Sequence, residues 1–189
     1  MEYVYIGLQL LLILISFAYA AYLVETNLFM RNKRRMIYCS SNITEQGPIL
    51  AALIEKYQAD GPDIAFVELG AGLARMARYI KKKRSWSRVE AVEVGPVIYA
   101  AGWLRNTVMR SGIVFRRADI FSLRFPAKAV LYCYLSKNII TELHRSKALD
   151  GCFVVSLTFA IEGLEPTEKI EFKGWQSHFY VYDLRSASH

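Results

Sequence analysis

A chain of 189 residues has room for one compact domain with attachments, not for two domains. Three scattered cysteines, Cys39, Cys133 and Cys152, exclude a disulfide framework and fit a reducing compartment, while His144, His178 and His189 lie too far apart for metal-ligand spacing, which leaves no metal site. The net charge of +7 asks for an anionic neighbour, and a 53% hydrophobic content with a mean hydropathy of +0.18 is high for a soluble domain.

The apolar excess sits at the N-terminus. Residues 3–24 read YVYIGLQLLLILISFAYAAYLV, with Gln9 and Ser16 the only strongly polar side chains. As a helix rising about 1.5 Å per residue, this segment spans a hydrocarbon core of roughly 30 Å and is a transmembrane candidate. A secretory signal is the competing reading, because Ala18-Tyr19-Ala20 resembles a cleavage site. Only Met1 and Glu2 precede the apolar run, however, and Arg31, Lys33, Arg34 and Arg35 follow it. That asymmetry favours an anchor with the rest of the chain on the cytoplasmic side, or its matrix equivalent. Residues 25–43 then form a basic juxtamembrane linker, and Lys81-Lys82-Lys83-Arg84 forms a second basic cluster. For a tethered domain the nearest polyanion is the headgroup layer, so a membrane partner is expected and no nucleic acid; solvated helix ends and orientation signals are the alternative reading of both clusters.

Residues 44–189 make up the remaining domain. Ile49, Leu50, Leu53, Ile54 and Tyr57 recur at helical spacing and predict a helix over 48–58 with Pro48 in its first turn, broken by Gly61-Pro62-Asp63. Short apolar runs at 64–69, 88–94, 113–117, 129–135 and 152–157 then alternate with helical patterns at 73–83, 96–110 and 137–148 and with a shorter connection at 119–127. This alternation is the signature of a doubly wound, mostly parallel α/β sheet. Two more β-rich runs, 169–172 and 178–184, joined by Lys173-Gly174-Trp175-Gln176-Ser177, read as an antiparallel hairpin closing one edge.

The first strand runs into Glu68-Leu69-Gly70-Ala71-Gly72-Leu73-Ala74 and then a helix with Leu73, Met76, Ala77 and Ile80 on one face. In such sheets ligands bind beyond the carboxyl ends of the strands, where glycines let them approach backbone N–H groups at a helix N-terminus. A dinucleotide fingerprint wants a small residue at position 75, where the chain has Arg75, which disfavours a nicotinamide-dependent reductase. The pattern acidic-x-Gly-x-Gly-x-small is met by Glu68, Gly70, Gly72 and Ala74. The second strand ends in Glu93, 21 residues after Gly72, where a carboxylate can accept from both ribose hydroxyls, and the third leads to Asp119 at the same edge. A helix cap or a solvated strand end is the alternative for each acid. On the fourth strand, alternation places Tyr132, Tyr134 and Ser136 on one face with Tyr134 and Ser136 nearest the carboxyl edge, which makes those two the catalytic candidates. Packing beneath a helix is the alternative for both tyrosines.

Together, Glu68-x-Gly70-x-Gly72, Glu93 and Asp119 on successive strands resemble the nucleoside-binding half of a class I S-adenosylmethionine-dependent methyltransferase. The resemblance implies a Rossmann-like seven-stranded sheet ending in an antiparallel hairpin, with S-adenosyl-L-methionine as cofactor. It also implies Gly70 and Gly72 against the methionine part, Glu93 on the ribose and Asp119 by the adenine, with Glu68 part of the same motif. A narrower resemblance is to the membrane-anchored family of ATP synthase c-subunit and adenine nucleotide translocase lysine methyltransferases and their bacterial relatives. It rests on Leu69-Gly70-Ala71-Gly72-x-x-Arg75, Tyr134-Leu135, Val154-Val155-Ser156 and Tyr180-Val181-Tyr182, together with the anchor. Members carry Asp-Gly where this chain has Leu73-Ala74, and Pro where it has Ser136-Lys137.

The expectation is a membrane-anchored methyltransferase acting on lysine in a membrane-associated protein. Methyl transfer needs alignment more than acid-base help, and an aromatic channel at Tyr134 favours the neutral amine. A methyltransferase acting on a lipid or small molecule, and a methyltransferase-like membrane scaffold that binds cofactor weakly, are the alternatives.

Overall fold

The computed structural model describes residues 2–31, 41–57, 59, 64–83, 88–173 and 178–185. Lys33, Arg34, Arg35 and Cys39, the Gly61-Pro62-Asp63 break, Arg84 and the hairpin turn 174–177 lie outside the described residues. The chain divides into two compact units, Met1–Ile37 and Tyr38–His189. The first contains α1 (Glu2–Arg31), in which Tyr3–Glu25 is long and apolar enough to cross a bilayer. The side chains of residues 3–21 are exposed and, apart from Gln9 and Ser16, apolar or aromatic, Leu14 and Phe17 among them. A helix with that surface belongs in a hydrocarbon or protein interior, because water penalises it by about 25 cal/mol per Å² of apolar area.

The second unit is built on a seven-stranded sheet ordered β3-β2-β1-β4-β5-β7-β6. The strands are β1 (Ala65–Leu69), β2 (Arg88–Glu93), β3 (Val114–Arg117), β4 (Val130–Cys133), β5 (Phe153–Leu157), β6 (Glu168–Glu171) and β7 (His178–Asp183). Strands β1 to β5 pair in parallel, whereas β7 is antiparallel to both β5 and β6, which makes the expected C-terminal hairpin. The chain leaves β1 towards β2 and β3 and returns to β4 on the other side, so β1 and β4 flank a topological switch point, the place where such sheets open a crevice.

One face of the sheet carries Phe66, Val89, Ala91, Val130, Tyr132, Phe153, Val155, Phe179 and Val181 in a single core with Leu50, Leu53 and Ile54 of α2 (Ile43–Lys56) and Met76, Ala77 and Ile80 of α3 (Arg75–Lys83). Each of the larger side chains contributes roughly 1.5–3 kcal/mol by leaving water. The alternate residues Val67, Leu69, Leu131, Cys133, Val154 and Tyr182 are buried on the other face, as are Ile139, Ile140 and Leu143 of α5 (Lys137–Arg145). Thr141 Oγ1 accepts from Glu162 N at 3.0 Å and Tyr182 Oη accepts from Ile161 N at 2.8 Å, so one bend after β5 ties α5 to β7.

Two local expectations are corrected. Helix α2 begins at Ile43 and holds Pro48 inside it, not in its first turn. Packing overrides the proline signal there: Gln46 and Gly47 are buried, and a Cβ at Gly47 would lie 2.8 Å from the Tyr79 ring of α3. Strand β4 ends at Cys133, so Tyr134 and Ser136 stand beyond it in the connection to α5.

Candidate active site

The turn from β1 to α3 repeats one backbone conformation. Gly70, Gly72 and Ala74 have φ of 65°, 54° and 53°, all left-handed. Glycine takes that region freely, whereas an L-residue is disfavoured there by roughly 1–2 kcal/mol. The turn is fastened on several sides. Ala71 N donates to Val92 O at 2.9 Å and Ala74 N to Ala71 O at 2.7 Å. A Cβ at Gly70 would lie 2.9 Å from Leu135 Cδ2. Helix α4 (Pro96–Val108) presses from behind at Gly102, where a Cβ would stand 2.7 Å from Gly72 O and 2.5 Å from the Phe115 ring.

The three acids singled out in the sequence all bind backbone N–H groups. Glu93 Oε2 accepts from Gly72 N at 2.8 Å, and its Oε1 accepts from Val94 N at 2.8 Å and Gly95 N at 2.9 Å. A carboxylate offers about four acceptor positions, so this one clamps the glycine turn to the end of β2 and keeps one position in hand. Glu68 is buried and its Oε2 accepts from Ala77 N at 2.7 Å, capping α3 from the neighbouring strand. Burial pushes its carboxyl up to about 7, and the nearby Glu93 charge adds to the rise, against the bonds from Ala77 and Met76 and the Arg78 charge. Asp119 is exposed, and its Oδ1 accepts from Phe121 N at 3.0 Å to cap the short 3-10 turn Ile120–Ser122.

A narrow cleft opens at the switch point, walled by Glu68 and Gly70 from the end of β1, Arg75 from the start of α3, and Tyr132 and Tyr134 from the end of β4 and just beyond it. Tyr132 is buried in the core, edge-on to Phe179 at 6.2 Å, with its hydroxyl 3.0 Å from Ser41 Oγ. Burial drives the Tyr132 phenol upward, so it stays protonated. Tyr134 is half-buried and stacks on Phe159, with ring centroids 6.3 Å apart and planes 17° from parallel. Phe159 is held there by a strained bend. Thr158 has φ of 73°, unusual for a β-branched residue, its N–H donates to His178 O at 2.8 Å, and Ser156 Oγ donates to Phe159 O at 2.7 Å.

The structure therefore brings Glu68, Gly70 and Tyr134 to one cleft, with Gly72 and Glu93 directly behind its turn. Ser136 does not line that cleft; it precedes α5 with extended backbone, and its side chain makes no capping hydrogen bond. Asp119 stands at the same edge of the sheet, beyond β3, whose Arg117 pairs with Glu93. Sequence reasoning missed Phe159 and Ser41. An aromatic two residues past a strand end was the available signal for Phe159; Ser41 gave none, because its partner Tyr132 is 91 residues away.

No family model matches the sequence, and no curated protein matches it either. Solved structures do share its fold. An RNA methyltransferase from Salinibacter ruber in complex with S-adenosyl-L-homocysteine superposes with a TM-score of 0.61 at 18% identity, over 78% of this chain and 94% of that one. A putative RNA methyltransferase from Pyrococcus horikoshii superposes with a TM-score of 0.54 at 12% identity, over 74% and 83% of the two chains. At such identities the likeness is one of fold: this chain has the Rossmann-like methyltransferase fold, with an apolar helix added at its N-terminus.

Proposed function

We propose that the protein is an S-adenosylmethionine-dependent methyltransferase, anchored by α1, that N-methylates lysine in a membrane-associated protein on the cytoplasmic or matrix-equivalent side. The observation that carries this reading is the left-handed Gly70–Gly72 turn opening onto a cleft at the switch point between β1 and β4. The residues present fit such a cofactor. Gly70 is exposed on the cleft and lacks the Cβ that would meet Leu135, and Arg75 places a cation for the carboxylate of an amino-acid moiety. The acceptor position left on Glu93 would take one ribose hydroxyl, and exposed Asp119 would take an adenine N–H. The cofactor supplies a methyl group on a sulfonium sulfur, open to in-line displacement.

The residues of this chain position the amine and strip its water. Tyr134 lines the cleft and, with Phe159 stacked behind it, presents an electron-rich aromatic wall there. Such a wall disfavours the charged ammonium by desolvation, and it attracts the methylammonium product through the ring faces. Alignment supplies the remaining acceleration, so no general base is required of this chain.

Calorimetric titration of the full chain in detergent micelles with S-adenosylmethionine tests the cofactor reading. Binding with a dissociation constant on the order of micromolar is expected. Absence of binding at millimolar cofactor overturns it and restores the scaffold alternative. Incubating membranes with labelled cofactor and the protein tests the substrate. Label on lysine of a membrane protein is expected, and label on lipid or RNA would replace the substrate while leaving the cofactor reading intact.

A further inference from the structure

Helix α4 carries an outward face that no described residue of the second unit covers. Gly102 and Asn106 point inward, so 3.6-residue spacing turns Ala100, Ala101, Leu104 and Val108 outward. Leu104 is 57% and Val108 74% exposed, flanked by Trp103 at 51% and Met109 at 55%, and Val114 on edge strand β3 adds another 52% exposed side chain. Outward faces of helices on soluble domains carry charge; here Arg105 is the one charged residue between Pro96 and Met109. The surrounding charge is mostly positive, with Arg116 paired to Glu90 of β2 at 3.4 Å. Between Glu93 and Asp119 the chain has four arginines, Arg105, Arg110, Arg116 and Arg117, and no acid.

We propose that the outer face of α4, with the adjoining β3 edge, docks in the interface of an anionic lipid bilayer. An apolar stripe flanked by a tryptophan and by arginines is the composition of a helix lying in the plane of the headgroups. Anionic headgroups match the arginine rim, each basic residue near such a surface contributing about 1 kcal/mol. The same chain supplies the bilayer, because α1 is long and apolar enough to cross one, so the docking surface never has to find its membrane from solution. The proposal adds a second, reversible contact to the anchor.

The test uses the full chain with Trp86→Phe and Trp175→Phe, which leaves Trp103 as its only tryptophan; α1 contains none, so emission reports the second unit alone. The protein is reconstituted into vesicles of phosphatidylcholine with phosphatidylglycerol, with either ordinary or brominated acyl chains. Bromine quenches tryptophan only on close approach, and loss of about half of the Trp103 emission is expected in the brominated vesicles for a ring at the headgroup boundary. Leu104→Glu with Val108→Glu restores the emission at an unchanged melting temperature, since both side chains point outward, and the milder Leu104→Gln restores it in part. Equal emission in the two kinds of vesicle overturns the proposal. So does a Trp103 environment that depends on protein concentration and not on lipid, which assigns the face to a second copy of the chain. Neither result bears on cofactor binding, so the failure of this proposal and that of the methyltransferase reading are distinguishable.

Discussion

Ala74 holds a left-handed backbone at φ 53° with its Cβ sealed from solvent, in a turn whose other two left-handed residues are glycines. Ala74→Gly removes a conformational penalty of roughly 1–2 kcal/mol and adds about 0.4–1 kcal/mol of unfolded-chain entropy. Thermal unfolding is expected to show a variant between neutral and about 1 kcal/mol more stable, with cofactor affinity unchanged. Gly70→Val does the opposite: it forces a β-branched residue to φ 65° and drives a Cβ to 2.9 Å from Leu135 Cδ2, so a loss of 2 kcal/mol or more and abolished binding are expected. Equal effects of the two substitutions in calorimetry would remove this turn from the site. Glu68 makes a second residue-scale prediction. Its carboxyl titrates near 4.5 when unfolded and near 7 when folded. Between those values the folded chain keeps a proton that the unfolded chain has lost, so the contribution of Glu68 to stability falls as pH rises from about 4.5 to about 7, by about 3 kcal/mol in all. Glu68→Gln keeps an oxygen for Ala77 N and abolishes the slope; urea midpoints at pH 5 and pH 8 that differ as much in the variant as in the wild type would show that another group titrates.

The glycine turn is shaped by elements that never touch the cleft. Helix α4 fits against it only because Gly102 has no side chain, and Gly102→Ala would press a methyl on Gly72 O and the Phe115 ring. Overpacking of that kind costs about 1–3 kcal/mol, and here the displacement passes to Gly72, whose N–H is held by Glu93. Cofactor affinity is expected to fall several-fold in calorimetry even though position 102 lies behind the site; full affinity in a destabilised variant would show that α4 and the turn are uncoupled. This relay was not legible in the sequence, because Gly102 reads there only as a weak spot in a helix, whereas its partner Phe115 lies one strand further on. The alternation of apolar runs and helices was legible, since strands buried on both faces, such as Phe153–Leu157, write their burial into every residue. Boundaries and capping were not. Strand β4 stops at Cys133 because pairing with β1 and β5 ends there, and Pro48 lies inside α2 because Tyr79 packs on its neighbour Gly47. The acids Glu68, Glu93 and Asp119 could be placed at strand ends from spacing alone, but their backbone partners are set by the turns they close.

At the scale of the whole molecule, the chain divides into Met1–Ile37 and Tyr38–His189, and on the proposed reading the first attaches the protein while the second does the chemistry. The second unit has a complete sheet with buried side chains on both faces, and every residue proposed to hold cofactor or amine belongs to it. A chain beginning at residue 38 is therefore expected to fold and to bind S-adenosylmethionine within about twofold of the full chain. Its rate on a membrane-embedded substrate is a different matter. Tethering replaces a bimolecular encounter by one at an effective concentration in the millimolar range, an advantage of about 10²–10⁴-fold that requires no new contact at the site. Removal of residues 1–37 should thus lower labelling of the membrane substrate by about 10²-fold at equal protein concentration, towards the low end of that range because a docked α4 would retain part of the local enrichment. A water-soluble peptide bearing the same lysine should be labelled at an unchanged rate by both chains. If the peptide rate falls together with the membrane rate, α1 is part of the catalytic architecture and not a tether, and the separation of the two units is wrong as a functional statement.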